Sequence, residues 1–289
     1  MAKPTVLIQL DADPQPSTFD GVVAVDAGVA QLFRHGGVTP DKVRSLVHGA
    51  MFTRGAGDMK RTAIFIGGSD VAAGEQLLAA VTSSFFGPLR VSVMLDANGA
   101  NTTAAAAVLV AARHVGIATA DAVVLGATGP VGRRVVRLLA GAGARVRAVS
   151  RSAERAAAVV ESLGDRFPRA ALTAHGVEDR DALAECLRGA NVLVAAGAAG
   201  VELIDRATWS AADQLQVAID LNAVPPLGIE GVDVSDDAEY RDGKICYGAL
   251  GVGGVKMHIH KAAIRRLFES NDHVLDAEQI LVLGSDLGL

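Results

Sequence analysis

The chain has 289 residues, half of them hydrophobic, with a formal net charge of −5 at pH 7 and only 4% aromatic residues. The acidic balance and the scarcity of aromatics remove the attraction and the stacking platforms of a nucleic-acid binder, and point to small-molecule partners. The length suits two α/β domains, no apolar run nears the ~20 residues of a membrane span, and the start MAKPTVLIQLDAD lacks a secretory pattern, so a cytoplasmic protein without a membrane partner is expected.

In chain order, strand-like and helix-like segments alternate: a strand over 5–10, a helix over 22–33, a strand over 62–66, a helix over 71–85, a strand over 90–95 and an Ala-rich helix over 102–114. Such alternation predicts βαβ units. The segment 115–121 loses the long apolar periodicity and contains Gly116, which sets a domain boundary: an N-terminal α/β domain over 1–118 and a second over 119–289. From Ala122 the pattern restarts with the strand AVVL, a glycine-rich turn, a helix to about Ala140 and a strand over 145–149. Later strands are predicted at 171–174, 192–196 and 217–221, before Pro225 and Pro226 end regular structure. Helices are predicted over 255–269 and 276–283.

The turn GATGPVG puts Gly126, Gly129 and Gly132 directly after a buried strand and at the opening of a helix, with Thr128, Pro130 and Val131 between them. That context makes a glycine pattern a dinucleotide site. Glycine lets the backbone approach a pyrophosphate, and the helix N-terminus adds amide donors and a favourable dipole. A plain strand-to-helix turn is the competing reading. About 20 residues on, where an NAD enzyme carries an acid against the ribose, the sequence is AVSRSAER. Ser150 and Ser152 offer hydroxyls there, and Arg151 offers a guanidinium suited to a 2′-phosphate, so NADP is expected in preference to NAD. Otherwise Arg151 is a solvated residue capping the next helix.

Two signals are set aside. Tyr240 and Lys244 have the YxxxK spacing of short-chain dehydrogenases, but Asp242 and Gly243 inside it make a turn. His258 and His260 are two apart, which on a helix points them in different directions, and Cys186 and Cys246 lack metal-ligand spacing. No metal site is expected, and both cysteines read as ordinary thiols.

The segments STFDGVVAVDAG, TAIFIGGSDVAAGE, MLDANGANTTAAA, GATGPVG, DLNAVPPLGIEG and GALGVGGVKMHIHKAAIRRLFES span nearly the whole chain. Together they resemble the NADP-dependent methylene-tetrahydromethanopterin dehydrogenases, relatives of the bifunctional methylene-tetrahydrofolate dehydrogenases. The resemblance implies an N-terminal pterin-binding domain, a C-terminal Rossmann-type NADP domain whose last helices can pack back on the first, a cleft between the two, and a homo-oligomer. The implied reaction is hydride transfer to NADP from the methylene group of a reduced pterin: methylene-tetrahydromethanopterin, with methylene-tetrahydrofolate as a further carrier.

The resemblance also marks residues. Asp20, in TFDG, resembles the family's acid facing the one-carbon unit, where a carboxylate would stabilise the developing methenyl cation; an N-cap for the helix near Val22 is the alternative. Asn98, Asn101 and Thr102 join a strand end to a helix start, where open α/β domains bind ligands, and their amides and hydroxyls are read as pterin contacts; an N-cap explains the same residue types. Lys256 follows GALGVGG near the predicted start of a helix, where the dipole disfavours a further positive charge, and a lysine acts near the one-carbon centre of the folate relatives; a solvated first-turn lysine is the alternative. The tyrosine expected four residues earlier is Val252 here, which counts against a bifunctional dehydrogenase-cyclohydrolase. A non-enzymatic NADP sensor of the same fold is the other alternative.

Overall fold

A computed structural model describes residues 3–177 and 179–289. Contacts divide the chain into two compact units, one comprising the chain to Thr102 with Met257–Leu283, the other Thr103–Lys256 with Gly284–Leu289. The first unit begins with β1 (Val6–Leu10), α1 (Thr18–Asp26), β2 (Gln31–His35), α2 (Pro40–Phe52), β3 (Thr62–Ile66), α3 (Val71–Ser83), β4 (Ser92–Leu95) and the start of α4 (Ala100–Ala112). β1, β3 and β4 are buried at every position, the continuous apolar character of a parallel sheet covered on both faces. β1 pairs in parallel with β2 and β3, and β3 with β4.

The helix expected over 22–33 is two elements. α1 stops at Asp26, Gly28 takes φ +92, and the following residues form β2 at the sheet edge. QLFRH is mostly exposed, so it carries no alternation to reveal a strand, and Val22, Val25, Val29 and Leu32 imitate a helical stripe. α2, with Pro40 in its first turn and Val43, Val47, Ala50 and Met51 buried, was also not expected. The division between units falls inside α4, at Thr102/Thr103, and not at the expected 118/119. That position lies in a short 3-10 turn, Ile117–Thr119, after the helix has ended.

The second unit continues with β5 (Asp121–Leu125), α5 (Pro130–Gly141), β6 (Arg145–Ser150), α6 (Ala153–Gly164), β7 (Leu172–Gly176), α7 (Arg180–Leu187), β8 (Val192–Ala195), α8 (Arg206–Ser210), β9 (Val217–Asp220), β10 (Asp237–Arg241), β11 (Lys244–Tyr247) and most of α9 (Ala249–Arg266). Its sheet order is β10-β11-β9-β8-β5-β6-β7, parallel except for β10. The chain reverses direction through the sheet between β5 and β8, the switch point beside which doubly wound sheets bind ligands. β10 and β11 form a hairpin across Asp242 (φ 47) and Gly243 (φ 78), so Tyr240 and Lys244 flank a turn as read. α9 starts six residues before the predicted helix because GALGVGG is largely helical. A Cβ at Gly251 would lie 2.1 Å from the Asp236 carbonyl, so the glycine admits a neighbouring loop.

β12 (Val274–Leu275) and α10 (Ala277–Asp286) complete the chain's regular structure. β12 pairs in parallel with β4, giving the first unit a five-stranded sheet in the order β12-β4-β3-β1-β2. Among the described residues no helix is long and apolar enough to cross a membrane.

Candidate functional site

β5 ends at Leu125, and Gly126 turns the chain with φ +72. A Cβ at Gly126 would lie 2.7 Å from the Ala196 carbonyl oxygen beyond β8, so the close approach of that strand end demands glycine. The Gly129 N–H donates to the Gly126 carbonyl (3.0 Å), and Gly129 is the N-cap of α5. Pro130 takes the first helical position, where its missing N–H costs nothing. A Cβ at Gly132 would stand 2.3 Å from the Gly126 carbonyl oxygen, so the helix rests directly on the turn. The amides of Val131 and Gly132 lie in the first turn of α5, beyond the reach of any intrahelical acceptor, and the dipole there favours an anion.

β6 lies beside β5 and delivers the second half of the site. Ser150 Oγ accepts the Ser152 N–H (3.3 Å), and Ser152 Oγ accepts the Arg155 N–H (3.2 Å), so Ser152, and not Arg151, caps α6. Arg151 and Arg155 are exposed. A cavity of about 640 Å³ brings the two stretches together: Gly126, Thr128, Gly129 and Pro130 line one part, and Ser150, Arg151, Ser152 and Arg155 another. Val149, Val177 and Leu183 add apolar wall, and among the described residues no carboxylate lines it. A glycine cradle, a helix N-terminus and two guanidiniums fit a dinucleotide bearing an extra phosphate. Val131 and Gly132 are outside the lining, and their backbone amides lie in the first turn of α5. Arg155 was missed in the sequence, although its place one helical turn after Arg151 in SRSAER was visible there.

In the other unit, Asp20 sits in the first turn of α1, capped by Ser17, whose Oγ accepts the Asp20 N–H (3.3 Å). Asp20 is therefore not the N-cap. Its Oδ2 lies 3.0 Å from the position a Cβ would take at Gly67, with Phe65 Cε1 at 3.2 Å and Asp11 Oδ2 at 3.3 Å from the same point. These groups converge at the C-terminal ends of β1 and β3, the edge where open sheets hold ligands. Asp11 is buried and accepts the N–H groups of Asp13 (3.0 Å) and Ser17 (3.1 Å), which shapes the loop into α1; Asp20 stays half-buried.

The three polar residues after β4 separate. Asn98 is exposed, with φ 56, and its N–H donates to the Gly68 carbonyl (2.5 Å). Asn101 and Thr102 are buried, at 1% and 0% exposure. Asn101 Nδ2 donates to the Leu95 carbonyl (2.6 Å) and to Asp276 Oδ1 (3.0 Å). The Thr102 hydroxyl donates to Asp96 Oδ2 (2.6 Å) and its N–H to Asp96 Oδ1 (2.9 Å). Asp96 thus caps the start of α4, and Asn101 and Thr102 tie the helix to the sheet; of the three, Asn98 alone keeps a solvent-facing side chain. Lys256 lies two turns into α9, not near its start, and a helix dipole is felt only in the first turn. The motif DLNAVPPLGIEG is held by Asp220, which accepts the N–H groups of Asn222 (2.9 Å) and Ile229 (2.8 Å). Burial pushes that carboxyl above the usual carboxylate range.

Residues 18–98 match the family described as methylene-tetrahydromethanopterin dehydrogenase, N-terminal, and residues 126–224 match an NAD(P)H-binding family. The chain is 45% identical over 284 residues to the bifunctional protein MdtA of Methylorubrum extorquens, covering 98% of each. It is 31% identical over 265 residues to the NAD(P)-dependent methylenetetrahydromethanopterin dehydrogenase of the same organism, covering 89% of each. A shikimate dehydrogenase (NADP(+)) from Halorubrum lacusprofundi is 39% identical over 126 residues, 43% of this chain and 42% of that one. With relatives matched along almost their whole length, and with the glycine turn and the β6 end meeting in one cavity, this chain belongs to the methylene-tetrahydromethanopterin dehydrogenase family.

Proposed function

We propose that the chain oxidises methylene-tetrahydromethanopterin, with methylene-tetrahydrofolate as a further carrier and NADP as hydride acceptor. The observation that carries this reading is the cavity in which the glycine turn meets Arg151 and Arg155, with no carboxylate lining it among the described residues, in a chain of this family. NADP supplies the hydride-accepting ring. The α5 N-terminus binds its pyrophosphate, and Arg151, Arg155 and the hydroxyls of Ser150 and Ser152 take the 2′-phosphate. The methylene carbon loses a hydride with its electron pair and becomes the methenyl cation, delocalised over two nitrogens. No proton moves in that step, so an acid-base dyad is not required; positioning and electrostatics are.

Asp20 supplies the negative charge for that cation, and its half-buried place at the sheet edge supports the role. Asn98 and Lys256 are assigned to the pterin. Val252, at 1% exposure, offers no hydroxyl where the folate cyclohydrolases carry tyrosine, which favours a dehydrogenase alone. The family resemblance supports a cytoplasmic homo-oligomer, which light scattering would size. The decisive assay mixes NADP with each methylene carrier and follows NADPH absorbance. NADPH formation is expected with the methanopterin carrier; NADP binding with no turnover on either carrier would make the chain a sensor, and hydrolysis of the methenyl product would restore the bifunctional reading.

A further inference from the structure

His260, on α9, is fully buried although its sequence neighbour His258 is exposed. Its imidazole stacks on Phe65, with ring centroids 5.6 Å apart and planes at 20°, and meets Phe19 at 6.4 Å and 38°. Phe65 is buried in β3, two residues before Gly67, while Phe19 is 51% exposed and directly precedes Asp20. The imidazole Nδ1 is 3.9 Å from Asp96 Oδ2, the buried carboxylate that also receives the Thr102 hydroxyl and N–H.

The anchoring of α1 makes this contact matter. The buried residues of α1 are Gly21, Val23 and Ala24, all after Asp20, and Val22 and Val25 are exposed. The entry to that turn is anchored by the Ser17 N–H bond to Asp11 (3.1 Å) and by the Arg34 Nη2 bond to the Pro16 carbonyl (2.6 Å), and the tilted contact between the Phe19 and His260 rings adds to them. A half-exposed phenyl ring gains little from burial and keeps rotamer freedom unless a flat partner fixes it. Imidazole offers such a face and, unlike phenylalanine, ring nitrogens that suit a buried carboxylate.

We propose that His260 is a positioning residue for Asp20: it fixes the Phe19 ring, and with it the first turn of α1, so that the Asp20 carboxylate is held over Gly67. The inference rests on the role given to Asp20 above. Its test combines a 4-fluorophenylalanine label at position 19, read by fluorine NMR, with kinetics of His260→Leu and His260→Phe, each alone and with Asp20→Asn. His260→Leu keeps volume but removes the flat face; it should move the fluorine resonance towards that of a solvent-exposed ring and lower kcat about tenfold while KM for NADP holds. His260→Phe restores the face and should return both readouts most of the way. In the Asp20→Asn background, His260→Leu should cost less than about twofold, because residues acting as a unit are not additive. An unmoved resonance in His260→Leu, or the same kinetic loss in both backgrounds, overturns the proposal and makes His260 a packing residue. If the wild type turns over neither carrier, the proposed reaction falls, while the resonance still decides whether His260 fixes Phe19.

Discussion

Replacing Gly132 by alanine tests the contact on which the cofactor turn stands. The added Cβ would lie 2.3 Å from the Gly126 carbonyl oxygen, 2.9 Å from its carbonyl carbon and 3.0 Å from Ala127 Cα, all backbone atoms with no rotamer to yield. Relief requires α5 and the turn to part by about 1 Å, in a region packed to interior density. Overpacking of this kind costs ~1–3 kcal/mol, which for a chain of this size is a fall in Tm of roughly 2–10 °C. The Gly126 carbonyl also accepts the Gly129 N–H, so its displacement moves the first-turn amides of α5 proposed to bind the pyrophosphate, and NADP affinity should fall at least about tenfold, or ~1.4 kcal/mol. Gly49→Ala is the control: Gly49 lies inside α2 with nothing within 4 Å of its Cβ position, and alanine there should stabilise by ~0.5–1 kcal/mol. Thermal denaturation and calorimetric titration with NADP read both variants. A Gly132→Ala protein with unchanged Tm and unchanged NADP affinity would refute the tight strand-turn-helix packing.

Three further outcomes are expected. Arg151→Ala should weaken NADP by about 10- to 150-fold, the equivalent of ~1.5–3 kcal/mol for a lost charged hydrogen bond, with a much smaller effect on NAD; equal effects in binding titrations would remove the 2′-phosphate assignment. Burial raises the Cys186 thiol and pushes Cys246 up to about 12 from the ordinary 9.0, so stability is full below the ordinary value and declines as pH climbs from there through the folded values; a thiol reagent at pH 8 should label neither cysteine natively and two after unfolding. Burial first, and then Arg113, lower the His114 imidazole, whose Nε2 is 2.8 Å from the Tyr247 hydroxyl. A lowered histidine contributes stability that is present above its ordinary value of 6.5 and lost as pH falls through the folded value, so denaturant midpoints should decline from pH 7.5 to 5 less steeply in His114→Gln than in the wild type.

The parts legible in the sequence are those whose cause is local. β5, the glycine turn and α5 follow one another within about twenty residues, and the burial that makes β5 a strand is written in AVVL itself. That Arg151 shares a cavity with the glycine turn was legible because in dinucleotide folds the end of the neighbouring strand lies beside that turn. What failed depends on distant partners. β2 is a strand because β1 pairs with it, not because QLFRH alternates. α9 begins at Ala249 because its glycines admit a loop from residues 233–236, which no helix propensity reveals. Asn101 and Thr102 have the composition of ligand contacts, yet their partners, Leu95, Asp96 and Asp276, consume their polar atoms inside the fold. His260 looked like half of a rejected metal pair; only the tertiary structure places its ring between Phe65 and Phe19.

The strand β12 has a consequence for the order in which the molecule is made. During synthesis residues 1–102 leave the ribosome long before Val274 and Leu275, the pair that completes the sheet beside β4. Until then β4, a strand buried along its whole length in the finished fold, is an open edge, able to accept any extended segment that drifts past, including the same strand of a neighbouring nascent chain. The intervening residues 103–256 belong to the second unit, so the first unit must wait, four strands wide, while they are translated. A truncation that removes 270–289 would make that waiting state permanent, and its cost would appear as aggregation of the N-terminal sheet even though every residue of the glycine turn, Arg151 and Asp20 is still present.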